Sequence, residues 1–260
     1  MIYVISRPRL LILAGLLLLC GISLIAKVTE GEILTFNVSY GVISAAEAQM
    51  QITSHQYQNT PAWLLTTTAK TYPFFDALFK VRDKIESVWD KENLRSLSFT
   101  KRLSEGAYNQ YRIHTFDHDK KLTTYSSWKF KEKAFRTKEL PIPVGTQDVL
   151  SAFYWTRQQN LVPGKSVLVN ITTDGKTALT EVVVHRKETI DSIFGKKECL
   201  VIEPKLKSEG IFKQTGQILI WVTNDAYKVP LKMTSQIIFG AFTATLKDAA
   251  NVPYKVIDKP

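Results

Sequence analysis

The side chains with most chemistry to offer in this sequence are four histidines, 24 carboxylates and two cysteines. His114 and His118, in HTFDH with Asp117 and Asp119, have the composition of a metal site. On a helix, a four-residue gap would bring both ring nitrogens to one ion. The surrounding YNQYRIHTFD instead alternates as a strand does. At about 3.3 Å per residue the two Cα atoms then stand about 13 Å apart, too far to share a metal. These histidines are therefore expected as exposed strand and turn residues, and no metal is expected. Cys199, inside the apolar run KECLVIEPKL, reads as an inert buried thiol. The sequence contains no Gly-x-Ser-x-Gly elbow, glycine-rich phosphate loop or His-Glu-x-x-His motif. No set of polar groups converges as a catalytic pocket requires. No catalytic residue and no cofactor is assigned, and an enzyme is the least favoured functional class.

Asp225 poses a narrower question. It lies in TNDAYK, between the apolar stretches Ile218–Val222 and Val229–Met233. Asn and Asp bond their own backbone in turns and tolerate positive φ, and Pro230 marks an edge or bulge position. Turn chemistry accounts for Asp225, with a contact at the rim of a binding site as the sharper reading. Arg157 is a second rim candidate, because it extends the helical row from Phe153.

The aromatic residues suggest binding. In Phe153, Tyr154 and Trp155, three consecutive rings cannot share one helix face at 100° per residue. A wide core beneath a helix accommodates them. So does an apolar cavity between helix and sheet, roomy enough for an acyl chain. Trp63, Phe153, Tyr154, Trp155 and Trp221 are the candidate lining residues.

The elements that must position these groups are mostly strands. Period-two alternation begins at EILTFNVSY and recurs in eleven to thirteen segments. Asp174-Gly175 predicts a hairpin turn, because both central residues of a type I′ turn need positive φ. Gly240 marks a bulge, bend or turn between two late strands. The charged segment KEKAFRTKEL suits an edge strand. YPFFDALFK interrupts the pattern as a single helical turn, or as a loop packed over an open edge. One segment, Gln147–Asn160, has helix spacing. It takes Thr146 as N-cap with Asp148 in the first turn, and it ends at Pro163-Gly164. So many antiparallel strands would expose two long edges if flat. The expectation is a mainly β fold: a curved antiparallel sheet forming a barrel or half-barrel, with one main α-helix covering it.

Residues 1–26 read as a signal peptide or N-terminal membrane anchor. Arg7 and Arg9 precede a 17-residue uncharged run from Leu10 to Ala26. Cleavage sites fall after Ser23 and Ala26, neither with a clean small-x-small pattern. Cys20 would suit a lipoprotein signal, but Leu19 precedes it where a small residue is expected. Residues 27–260 form one β-rich domain, with no linker or internal repeat. Removal of the leader leaves Cys199 as the one cysteine and a net charge of about +8, from the 34 basic and 24 acidic residues less Arg7 and Arg9. Such a surface favours anionic membrane surfaces or acidic envelope components. No motif or long basic run points to nucleic acid.

Several stretches together resemble the bacterial domain-of-unknown-function family 3108: GEILTFNVSYGVISAAEAQM, FKVRDKIESVWD, TQDVLSAFYWTRQQNLVPG, GKKECLVIEPKL and ILIWVTNDAYKVPLKM ending in FGAFTATL. Ser44-Ala45-Ala46 departs from the resemblance, standing where a glycine-containing turn is expected. The resemblance implies an exported, β-rich protein of the bacterial envelope and brings no reaction or catalytic residues. The Trp, Asp, Pro order of the last hairpin also looks like curved-sheet carriers that move lipoproteins or lipids across the periplasm, an analogy of fold alone. The resulting expectation is a periplasmic protein, or one anchored to face the periplasm. It would act as a binding or chaperone-like module for a lipid or outer-membrane protein segment. The alternative is a solid-cored envelope protein that binds another protein during surface assembly.

Overall fold

The computed structural model describes residues 29–206, 216–237 and 240–257. The leader expected at residues 1–26, with Cys20, lies outside them. Fourteen strands and two helices follow in order: β1 (Ile33–Tyr40), β2 (Ile43–Tyr57), β3 (Thr60–Thr71), α1 (Pro73–Asp76), β4 (Arg82–Asp90), β5 (Ser96–Glu105), β6 (Tyr108–Asp117), β7 (Leu122–Lys129), β8 (Ala134–Pro141), α2 (Val149–Arg157), β9 (Ser166–Thr173), β10 (Lys176–Ser192), β11 (Gly195–Leu206), β12 (Ile218–Thr223), β13 (Pro230–Ile237) and β14 (Gly240–Ala250). The count exceeds the eleven to thirteen expected from alternation.

All fourteen strands form one antiparallel sheet ordered β8-β7-β6-β5-β4-β3-β2-β1-β14-β13-β12-β11-β10-β9. Each half is a meander of strands that are neighbours in sequence, and the β1–β14 pairing stitches the halves together at the middle. The edge strands are therefore β8 and β9, and the chain passes from one to the other through α2. A flat sheet of this width would leave both edges and one apolar face in water; curling solves both problems. Register shifts at Thr35/Phe36, Val38/Ser39, Val88/Trp89, Val184/Arg186 and Trp221/Val222 supply local bends. β8 is the exposed, charged edge expected of KEKAFRTKEL. The turn between β1 and β2 uses Gly41 at φ 57°, so Ser44-Ala45-Ala46 sits inside β2 rather than in the turn. Gly240, at φ 109°, opens β14.

The β9–β10 turn closes the curl. Asp174 and Gly175 have φ of 50° and 75°, as a type I′ turn requires. Their tip docks on strands β5 to β8. Lys101 Nζ and Arg112 Nη1 reach the Asp174 carboxylate at 2.8 and 2.6 Å, and Lys138 Nζ donates to Gly175 O at 3.2 Å. Gly175 N–H donates to Nε2 of His114 at 3.1 Å. His114 is thus fully buried, which corrects its expected exposure: a hairpin tip 61 residues downstream covers it. His118 is half-buried and also not a free surface residue, its Nε2–H donating to Ser96 O at 2.6 Å. Further toward α2, Gln147 bridges β9 in parallel fashion, with Gln147 N to Asn170 O at 2.9 Å and Thr172 N to Gln147 O at 2.8 Å.

The helix begins two residues later than its sequence pattern suggests. Asp148, not Thr146, is the N-cap, and its Oδ1 accepts from Leu150 N and Ser151 N. Thr146 donates instead to Pro143 O. α1 is the single helical turn expected of YPFFDALFK, but it covers no edge: the edges are β8 and β9, and α1 lies between β3 and β4. Because neighbouring strands alternate in direction, the turns β1–β2, β3–β4, β5–β6, β7–β8, β9–β10 and β13–β14 share one end of the sheet. Both connections to α2 lie at the other end.

Candidate functional site

α2 crosses the concave side of the sheet and is pinned at both ends. At its start, Asp148 is fully buried, and its Oδ2 accepts from Ser87 Oγ of β4 at 2.6 Å and from Ser96 Oγ of β5. Burial raises this carboxyl above its ordinary pKa range, opposed by those hydrogen bonds. At its end, Arg157 makes a two-pronged pair with Glu32, just before β1, with both N–H···O distances 2.7 Å. Arg157 also donates to Tyr227 O in the β12–β13 connection. Arg157 is 2% and Glu32 1% exposed. The helix thus ties the β4–β5 region to the β1 and β12–β13 regions.

Between α2 and the sheet lies a cavity of about 390 Å³. Its helix wall is Val149, Leu150, Ala152, Phe153 and Thr156, and most of these share the face that spacings of three and four place together. The sheet wall comes from both halves: Phe36, Met50 and Ile85 on one side, Val169, Ile171, Val182, Ile202 and Ile220 on the other. The wall extends away from α2 as far as Pro204 and Ile218, beside the turn-bearing end. Polar groups are few. They are Thr67, Thr156, Thr180 and Lys232, and among the described residues no His, Cys, Asp or Glu reaches the wall. The Thr156 hydroxyl bonds Ala152 O at 2.8 Å. The hydroxyls of Thr67 and Thr180 are buried without a hydrogen-bond partner among the described residues. Such a lining favours apolar matter and offers a ligand few polar anchors.

Of the five expected lining residues, Phe153 alone reaches the wall. Tyr154 turns the other way, fully buried against Trp89, Phe99 and Phe116. Trp155 packs at the edge of the cores on either side of the helix. Trp63 stacks on Trp89 with ring centroids 5.4 Å apart, nearer the α2 end of β3. Trp221 alternates with the cavity-lining Ile220 and stays off the wall, buried in the cluster that holds Cys199, Val201, Val229 and Leu231. Arg157 is no rim residue but half of a buried ion pair. Asp225 is exposed and accepts from Tyr227 N at 2.8 Å, Lys228 N at 3.1 Å, Thr223 Oγ1 at 3.1 Å and the Tyr254 hydroxyl. It organises the β12–β13 turn and stands off the cavity wall. The residues that sequence reasoning missed are small or aliphatic strand residues such as Ala48, Val169 and Ile202. Period-two patterning placed them on one face without indicating that this face was not fully packed.

Elsewhere, burial pushes the Cys199 thiol up to about 12, which suits an inert core residue. No group of three or more His, Cys, Asp or Glu able to hold a metal occurs among the described residues.

Fold and site together define a mainly β protein: one curved, barrel-like antiparallel sheet closed by a helix over an apolar cavity. The chain belongs to the DUF3108 family, described as a protein of unknown function, whose model matches residues 35–247. Among solved structures it is similar to a β-barrel-like protein of the domain of unknown function DUF1849 from Brucella abortus. That match has a TM-score of 0.55 and 11% identity, over 89% of this chain and 99% of the other. A protein from Parabacteroides distasonis, provisionally described as a lipoprotein, aligns with a TM-score of 0.34 and 9% identity, over 85% and 96% of the two chains. A provisionally described exported protein with a YmcC-like fold from Bacteroides fragilis gives a TM-score of 0.33 and 10% identity over the same shares. No curated protein matches the sequence.

Proposed function

We propose that this chain is a non-enzymatic binding or chaperone-like protein of the bacterial envelope, facing the periplasm, that holds an apolar ligand beneath α2. The ligand is a lipid chain or an apolar segment of an outer-membrane protein. The cavity is the observation that carries this reading. Its volume of about 390 Å³ falls in the range of about 300–1,000 Å³ common to ligand pockets, and its wall is almost wholly apolar. A void of this size costs stability when empty, because its lining atoms lack partners. Occupation by an apolar chain recovers those contacts. Among the described residues the polar groups on the wall are three threonines and one lysine, with no His, Cys, Asp or Glu beside them to complete an acid–base or nucleophile–base pair. The basic head and apolar run of residues 1–26 support export to the envelope.

The test is native mass spectrometry of protein isolated from cells without detergent, followed by organic extraction. The expected result is a bound mass that extraction releases as a lipid. A released peptide would instead assign the cavity to a protein segment. A bare chain that takes up neither added phospholipid nor apolar peptide would overturn the proposal.

A further inference from the structure

The end of the sheet opposite α2 carries an uncovered apolar rim. At the β1–β2 turn Val42 is 99% exposed. In the β3–β4 connection Phe74 and Leu78 are each 75% exposed, and α1 buries none of its residues. Phe79 in the same connection and Phe130 in the β7–β8 turn are more than half exposed. These tips form a surface rather than scattered residues. Tyr72 N bonds Ala45 O of β2 at 3.0 Å, and Gly106 N of the β5–β6 turn bonds Lys80 O at 2.8 Å. Three adjacent hairpin ends are thereby joined.

The lobe is also held in place. Arg82 makes two bonds to the Asp76 carboxylate, at 3.0 and 2.5 Å, and Thr71 Oγ1 donates to it as well. An ordered excursion that buries nothing yet presents phenylalanine and leucine to solvent is a costly surface without a partner.

Charge identifies the partner. Residues 129–136 at the β7–β8 turn carry four basic side chains and one acid around Phe130 and Phe135. The acid, Glu132, is taken by Arg136 at 2.6 Å. Lys131 and Lys133 remain exposed and have no ion-pair partner among the described residues. Residues 70–84 add four basic side chains against two acids. Aromatic and aliphatic tips ringed by lysine and arginine fit the interfacial zone of an anionic bilayer, where rings sit at the head groups and cations pair with lipid charge. We propose that this turn-bearing end docks on an anionic lipid bilayer and inserts its apolar tips below the head groups. The proposal does not depend on the cavity being occupied.

The test uses the full chain with an environment-sensitive fluorophore at Val42→Cys or, at the α2 end, Glu92→Cys. Cys199 is buried, Cys20 is replaced by serine throughout, and the Cys20→Ser parent treated with the same label supplies the background. Vesicles contain spin-labelled lipid in either phosphatidylglycerol or phosphatidylcholine. The label at position 42 is expected to be quenched in the anionic vesicles and the label at position 92 to be silent. Adding Phe74→Ser and Leu78→Ser should weaken the titration at position 42 by about tenfold or more. The unfolding midpoint should stay unchanged, because neither side chain is buried. Lys131→Glu with Lys133→Glu should weaken it in anionic vesicles only. Equal quenching at both positions, no quenching at position 42, or identical titrations in neutral and anionic vesicles would overturn the proposal. Self-association through position 42 in the absence of vesicles would do so too.

Discussion

Arg157→Ala is the substitution that most sharply separates a helix clamped to the sheet from one merely resting on it. Arg157 and Glu32 are buried, 125 residues apart in sequence, and joined by two bonds of 2.7 Å. Removing the guanidinium leaves a carboxylate in a site that water does not reach. Glu32 loses both charged hydrogen bonds, and Tyr227 O loses its donors as well. Breaking one side of such a pair costs about 3–5 kcal/mol. A chain of this size shifts its midpoint by about 2–4 °C per kcal/mol, so a drop of about 6–20 °C is expected. The double variant Glu32→Leu with Arg157→Leu removes both charges and keeps apolar volume. It should recover most of the loss, because no uncompensated charge remains. Urea unfolding of wild type, Glu32→Leu, Arg157→Leu and the double variant completes the cycle. A single-variant cost below about 1 kcal/mol, or a double-variant cost equal to the sum of the singles, would refute the clamp.

Acid should loosen the docked hairpin tip. Burial lowers His114 from 6.5 to about 4, with Asp174 opposing and Arg112, Lys138 and Lys101 reinforcing the shift. The folded state thus binds the proton less readily than the unfolded chain. The stabilisation is complete above pH 6.5 and is lost as pH falls toward 4, by about 3 kcal/mol in all. His114→Gln should flatten that slope in denaturant titrations across this range; an unchanged slope would remove His114 from the explanation. Gly175→Ala should cost at least about 1–3 kcal/mol, because φ is 75° and a Cβ would stand 2.8 Å from the Tyr125 ring; a neutral result in thermal unfolding contradicts the docked turn. Asp148→Ala should cost more than the roughly 1 kcal/mol of an ordinary N-cap, since the Ser87 and Ser96 hydroxyls also lose their acceptor. Asp148→Asn should retain part of that stability by the same assay.

Local signals in the sequence were readable, and long-range ones were not. Alternation located the strands, and the Asp174-Gly175 pair located a hairpin by its backbone requirement. The spacing of Val149, Phe153 and Arg157 located the helix. Asp225 proved to be a turn organiser, as the chemistry of TNDAYK suggests. Face assignments failed where they depend on partners distant in sequence. Nothing in AFYW says which ring meets the cavity, because the rotation of α2 is set by Asp148 on Ser87 and by Arg157 on Glu32. Trp221 left the wall because register, not hydrophobicity, decides which side of β12 it takes. His114 looked like a surface residue because the tip that covers it belongs to another hairpin. The cavity was the least legible feature, since aliphatic strand residues read alike whether they meet a side chain or a void.

The central claim is that the space between α2 and the curled sheet binds apolar chains. Fluorescence titration with a long-chain fatty acid carrying a fluorophore tests it most directly, comparing wild type with Ala152→Trp. Ala152 lies on the cavity wall, 3% exposed, so an indole there projects into the void. Saturable binding by wild type is expected, weakened about tenfold or more in the folded variant, whose stability should be kept or raised as the void fills. Equal binding by the two proteins, or none by wild type stripped of lipid, would contradict the claim.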